Sequence, residues 1–190
     1  MTAYKLFKLK KSRPGELFPL YVLTDEPVPM GIWLPAREGP RLADGRVKSK
    51  LGPLCWRPGW HLSELPLAIH IGIRDETGEI RWMHDDEVWC ECEYSADTDY
   101  QPEADANGWR SGKYDPRRAI LDRIPEHGCY RCKTSPNMLG RWIIAGEMKV
   151  LRILEDEEVA EICRSRGYEP LPRRKPLDPA LLGQEPGKAA

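Results

Sequence analysis

Residues able to do chemistry are concentrated in one run, Cys55-Trp56-Arg57-Pro58-Gly59-Trp60-His61-Leu62-Ser63-Glu64. Pro58-Gly59 favours a tight turn, because Pro fixes φ at the first central position and Gly accepts positive φ at the second. Such a turn gathers Arg57, Trp60 and His61, with Ser63 just beyond and His70 on the segment that follows. A guanidinium binds anions, an indole stacks on flat rings and an imidazole moves protons, so these five residues are the candidate ligand-binding set, for a small ligand such as a nucleotide. The structural alternative anchors the tryptophans in the core and pairs Arg57 with a carboxylate.

The cysteines supply a second constellation. Cys90 and Cys92 project to one face of an alternating segment, and Cys129-Tyr130-Arg131-Cys132 has the two-residue spacing of a zinc knuckle. Four thiolates would close a structural zinc site. Cys also behaves as a small buried hydrophobe, and Cys90 and Cys92 fall on the apolar face, so burial is the preferred reading. His84-Asp85-Asp86-Glu87 and the acidic stretch from Asp97 to Asp105 read as a charged turn and a solvated loop. No Gly-rich phosphate loop, Ser–His–Asp signature or HExxH motif is present.

The elements that must position these residues are mostly strands. Eighteen prolines and 16 glycines suit many short elements joined by turns. The pattern predicts strands at Ala3–Lys10 and Leu17–Leu23 joined by a turn at Ser12–Gly15, with Pro19 marking a sheet edge. A short apolar piece follows at Ile32–Leu34, then a polar loop over 37–50. Leu67–Ile73 alternates cleanly and reads as the clearest strand, with a return strand over Ile80–Met83. Glu87–Tyr94 places Val88, Cys90, Cys92 and Tyr94 on one side and acids on the other. Further strands are expected at Gly128–Lys133, Arg141–Ala145 and Met148–Leu154, the last apolar on both faces and therefore central. A long polar loop is predicted over Asp97–Asp115. Helices are predicted at Pro116–Ile124, opened by Asp115, and at Asp156–Arg166, whose acidic first turn and basic last turn match the helix dipole. The expected fold is α+β: one domain over residues 1–168, a largely antiparallel sheet of six or seven strands, and a proline-rich disordered tail over 169–190.

The order of motifs resembles a family of uncharacterised proteins from bacteriophages and other bacterial mobile elements. The residues that carry the likeness are Lys5-Leu6-Phe7, Gly31-Ile32-Trp33-Leu34-Pro35-Ala36, Arg57 to His61, Val88-Trp89, and Trp142 through Met148-Lys149-Val150-Leu151. The resemblance implies a phage or mobile-element origin. A looser likeness is to the ADP-ribosyltransferase fold. There Gly59-Trp60-His61-Leu62-Ser63 and Glu147 would fill two of the family's positions: His61 would contact the nicotinamide ribose of NAD and Glu147 would stabilise an oxocarbenium ion. That likeness implies catalytic roles for His61 and Glu147.

Bulk properties narrow the class. The 190-residue chain is 41% hydrophobic and 31% charged with a net charge of −1, so nucleic-acid binding is not favoured by overall charge. No secretory leader or membrane-length apolar run is visible, which places the expected site of action in the cytoplasm of a bacterial host, with the thiols reduced and no membrane association. Seven tryptophans against two phenylalanines leave aromatic surface for a partner. The leading expectation is a non-catalytic accessory protein that binds a host or phage macromolecule. The alternatives are a nucleotide-binding or ADP-ribosyltransferase-like enzyme and a small zinc protein.

Overall fold

The computed structural model describes residues 1–74, 76–78, 80–81, 83–135 and 138–183. Its strands are β1 (Thr2–Lys10), β2 (Arg13–Phe18), β3 (Trp33–Pro35), β4 (Trp60–Ser63), β5 (Ile73–Arg74), β6 (Ile80–Arg81), β7 (Glu87–Tyr94), β8 (Thr98–Asp99), β9 (Trp109–Arg110), β10 (Lys113–Tyr114), β11 (Gly128–Cys132), β12 (Trp142–Ala145) and β13 (Glu147–Ile153). Two helices, α1 (Gln101–Gly108) and α2 (Asp156–Arg164), complete an α+β domain.

Nine strands form the main sheet, in the order β3-β13-β7-β1-β4-β12-β11-β8 with β2 added beside β1. Seven of its pairings are antiparallel, but Gly128 and Cys129 of β11 run parallel to Thr98 and Asp99. The sheet is therefore mixed, and larger than the six or seven strands expected. Only Gly146 separates β12 from β13, yet these strands lie on opposite sides of β7, β1 and β4 in the pairing path. The sheet consequently curves round on itself, and one face becomes an interior. At the bend Gly146 donates to the Gly128 carbonyl (3.0 Å) and accepts from Ala36 N–H (2.6 Å).

Period-two alternation fills that interior with Ala3, Phe7 and Leu9 of β1, Val88, Cys90, Cys92 and Tyr94 of β7, Leu62 of β4, Ile143 and Ala145 of β12, and Met148 and Val150 of β13. Two smaller clusters cover the outer face. Leu6, Trp89 and Leu154 pack beneath Val159 and Cys163 of α2, and Tyr130, Cys132 and Ile144 pack beneath Ala104 of α1 and Leu121. Trp89, which breaks the acidic outer row of β7, is thus an anchor for the second layer.

Several expected elements shift, each for a local reason. The hairpin turn sits at Lys11-Ser12, so β2 begins at Arg13 and ends before Pro19 instead of running to Leu23. Its Pro14 is tolerated because the only strand that pairs with β2 is β1, and the bridge from Leu17 to Val28 lies at the other end of β2. Leu67–Ile73 is not a strand. Leu67 and Ala68 are both buried against the α2 cluster, which alternation forbids, and a 3-10 turn covers Ile69–Ile71. Only Ile73–Arg74 pairs, with Ile80–Arg81, while Trp82 of the expected return strand lies outside the described residues. The predicted helix at Pro116–Ile124 is a single turn over 116–118 followed by irregular chain. Asp115 accepts the Arg117 N–H (3.0 Å), so the capping pattern is used for a turn that does not propagate. The helix lies instead at Gln101–Gly108, inside the expected loop; it buries only Ala104 and Gly108 and so carries no apolar stripe to read. β13 is next to the edge rather than central, and a bulge between Val150 and Arg152 turns Leu151 to solvent.

The helix at Asp156 forms as expected, with a capping box between Glu155 and Glu158. Beyond it, residues 169–183, expected to be disordered, lie against the domain. Leu181 is buried in the interior cluster, and the Arg173 side chain, 3% exposed, pairs with Asp156 (2.8 Å) and donates to the Glu87 carbonyl (2.8 Å). Composition alone misses this because a few residues supply the docking: Arg173, and Leu177, Leu181 and Leu182 packed on the interior cluster. Residues 184–190 of that tail lie outside the described residues. No helix among the described residues is long and apolar enough to cross a membrane.

Candidate functional site

The chain bends at Gly59 and leads directly into β4, but the expected tight turn is not closed by a hydrogen bond among the described residues. Gly59 takes φ 138°, and a Cβ there would strike Ile144, so the position requires glycine. Because β4 is a strand, its side chains alternate, and this decides the fate of the predicted set. Trp60 points into the interior, where its Nε1 donates to the Leu34 carbonyl (3.0 Å). His61 and Ser63 lie on the outer face. The sheet therefore separates Trp60 from His61, and the expected trio with Arg57 does not converge.

The outer group is organised by Trp142, which stands opposite Ser63 in the register. His61 and His70 both meet the Trp142 indole edge-on, at 6.1 and 5.2 Å between ring centroids. His70 Nε2 and Arg57 Nε are buried with no hydrogen-bond partner among the described residues. Burial, reinforced by the Lys5 and Arg57 charges, holds the His61 pKa down at about 3, and burial lowers that of His70 as well. At neutral pH His61 is thus an uncharged ring, with Nδ1 3.2 Å from the Gly59 carbonyl. Ser63 is buried, and among the described residues no hydrogen bond joins it to His61. Glu147, the expected catalytic acid, instead pairs with His127 Nδ1 at 3.1 Å. Four of the five predicted ligand residues share a neighbourhood, but no nucleophile, base and acid are aligned there.

The cysteines divide between the same two faces. Cys90, Cys92 and Cys129 face the interior, whereas Cys132, three residues along β11, packs with Tyr130 and Ile144 outside. The four thiols do not meet at one point. Burial pushes the Cys92 pKa up to about 12 and that of Cys132 to about 11, and raises Cys90 and Cys129 too, which favours neutral thiols over ligating thiolates.

The interior holds a group that the sequence reading passed over. Lys5 occupies an inward position of β1 between Ala3 and Phe7. Its Nζ donates to the His61 carbonyl (2.9 Å) and lies 5.5 Å from the Trp60 ring and 5.6 Å from the Phe7 ring. Burial lowers its pKa to about 8, partly offset by the Cys92 and Cys90 thiols beside it. The signal in the sequence was a lysine in phase with Ala3, Phe7 and Leu9.

Two surface features also escaped notice. Met30, Ile32, Trp33 and Leu151 are exposed along the β3–β13 edge, and Trp109 and Tyr114 are exposed on the β9–β10 hairpin. The fold and these sites define a curved-sheet α+β protein whose apolar surfaces are better developed than any catalytic constellation. Comparison of the chain with protein-family models, with curated proteins and with solved structures finds no match in any of the three.

Proposed function

We propose that this chain is a non-catalytic accessory protein, of phage or mobile-element origin, that acts by binding a host or phage protein. The observation that carries the reading is the exposed apolar edge: Ile32 is 53% and Trp33 48% exposed, with Met30 and Leu151 beside them. Exposed apolar clusters of this kind mark interaction sites, and Trp and Met are enriched in interface cores.

The same edge defines the partner's chemistry. Pro35 ends β3 without a backbone N–H and Pro29 lies on the chain leading to it, so a partner docks through side chains rather than by adding a strand. Nearby charges are already matched: Lys149 pairs with Glu93, and Arg152 with Glu91. A rim neutralised in this way suits an apolar protein surface better than a polyanion. The origin half of the proposal rests on the motif order from Lys5 to Leu151.

The test compares the wild-type chain with an Ile32→Ser/Trp33→Ser variant as bait in host lysate, read by quantitative mass spectrometry. A partner held by the wild type and weakened more than about tenfold by the variant supports the proposal, since central interface residues contribute about 2 kcal/mol or more. Equal recovery by both baits, or enrichment by neither, refutes it.

A further inference from the structure

The segment 169–183 meets the domain as a bound peptide would. Leu181 and Gly183 direct their N–H groups to the Asp178 and Ala180 carbonyls inside the segment, and Asp178 Oδ1 caps that turn by accepting the Ala180 N–H (3.1 Å). Among the described residues no backbone–backbone hydrogen bond ties 175–183 to the sheet. Side chains make the attachment instead. Arg173 is held beside the start of β7, Leu181 is buried in the interior cluster, and Leu177 and Leu182 pack against it. Three of these anchors, Arg173, Leu177 and Leu181, recur at every fourth residue. No strand or α-helix follows the segment among the described residues, so it can lift away without breaking a sheet pairing.

The arginine enters a receptor that stands without it. The turn before β7 is closed from both sides: Glu87 N–H donates to the His84 carbonyl (3.2 Å), and Glu87 Oε2 accepts from His84 N–H (2.9 Å). Carbonyls of this turn converge, so that Arg173 Nη1 donates to His84, Asp85 and Glu87 at 3.0, 3.3 and 2.8 Å. On the other side Asp156 accepts from Nε and Nη2 at 2.8 Å each, and Met83 Sδ lies 3.4 Å from Nη2. The capping box between Glu155 and Glu158 fixes the helix turn that carries Asp156. A planar guanidinium meets all these acceptors at once, whereas a lysine ammonium is a point charge and cannot. Emptied of Arg173, the receptor keeps one carboxylate and three convergent carbonyls, an arrangement that selects arginine.

We propose that this groove is a recognition site for extended peptide segments in which an arginine precedes leucines by four and eight residues. Residues 169–183 are its resident occupant, and a segment of that pattern in a partner protein displaces them. Docking through side-chain pockets by a segment that carries its own local structure is how peptide ligands are held, and the resident sequence supplies the template. The groove shares no residue with the edge formed by Met30, Ile32, Trp33 and Leu151, so either proposal stands or falls without the other.

The test is fluorescence anisotropy of a labelled synthetic peptide of sequence 169–183, titrated with the full chain. An occupied groove lowers the apparent affinity by the fraction of molecules in which it is open. The variant Arg173→Ala/Leu181→Ala, which removes both buried anchors of the resident segment, should therefore bind the peptide about tenfold or more tighter than the wild type, the worth of one charge-assisted contact. Adding Asp156→Asn to that variant should weaken binding about tenfold or more, and so should a peptide carrying Arg173→Lys. Cooperative urea unfolding confirms that the variants fold. The wild type tests the reading with no substitution in the protein: it should bind the parent peptide about tenfold or more tighter than a peptide carrying Arg173→Ala. Equal binding of those two peptides overturns the proposal. So does an emptied groove that binds no tighter than the wild type, a variant with Asp156→Asn that binds unchanged, or no binding by either protein up to about 1 mM, the effective concentration of a tethered competitor. A wild-type dimer in light scattering that excess peptide leaves intact would give the groove to the same segment of a second copy, and overturns it too.

Discussion

Replacing Lys5 with methionine removes a charge from the interior of the curved sheet while keeping an unbranched side chain of similar length. A fall in pKa from 10.5 to about 8 corresponds to about 3 kcal/mol of penalty on the charged amine. The residue as a whole is half-buried, so solvent reduces this, and about 2 kcal/mol is expected. The variant also loses the hydrogen bond to the His61 carbonyl, worth about 1 kcal/mol. At neutral pH Lys5→Met is therefore expected to be more stable than the wild type by about 1 kcal/mol.

The pH dependence is the sharper readout. Because the folded-state pKa lies below the unfolded one, the penalty is fully present below pH 8 and disappears as pH rises from 8 to 10.5. Wild-type stability thus gains about 2 kcal/mol relative to the variant across that window. The buried cysteines work in the opposite direction, losing stability as pH passes the unfolded thiol pKa, and because Lys5 lowers the pKa of Cys90 and Cys92 this loss is larger in the variant and adds to the difference in the same sense. Urea denaturation followed by tryptophan fluorescence measures this directly. A wild-type–variant difference constant to within about 0.5 kcal/mol from pH 7 to 10.5 would refute the enclosure of the amine.

His61 behaves in the same sense, in a more acidic window. With a folded pKa of about 3 against 6.5, its contribution is present above pH 6.5 and is lost as pH falls toward 3, by about 1–2 kcal/mol at pH 5. The stability gap between wild type and His61→Gln should narrow by that amount on acidification; parallel urea midpoints from pH 7 to 5 would refute it. Arg173→Ala should destabilise the protein by about 2 kcal/mol and make the chain beyond Tyr168 susceptible to limited proteolysis, because the Asp156 pair and the Glu87 carbonyl contact are lost together. Wild-type-like stability and protease resistance would show that the segment is held by other contacts.

The sequence by itself determined the elements whose pattern depends on near neighbours. Glu87–Tyr94 alternates over eight residues, so its inward set is legible without knowing what it packs against. Glu155–Arg164 carries its cap, dipole charges and apolar stripe within ten residues. Likewise Gly59 marks a bend that leads into β4. Other assignments needed contacts from distant parts of the chain. Leu67–Ile73 alternates as well as any strand here, but burial of adjacent Leu67 and Ala68 against α2 overrides the pattern. The α1 helix has almost no apolar face, so periodicity could not reveal it.

The same distinction governs the site. Proximity in sequence suggested that Arg57, Trp60 and His61 act together, but a strand sends neighbouring side chains to opposite faces. Only the tertiary structure could decide that Trp60 belongs with Lys5 inside and that His61 shares Trp142 with His70 outside. The exposure of Ile32, Trp33, Trp109 and Tyr114 was equally out of reach, because an aromatic residue has the same local sequence signature whether its ring is covered or bare. Local pattern fixes which way a side chain points along its own element. What it meets there depends on how the bend at Gly146 wraps nine strands around one interior.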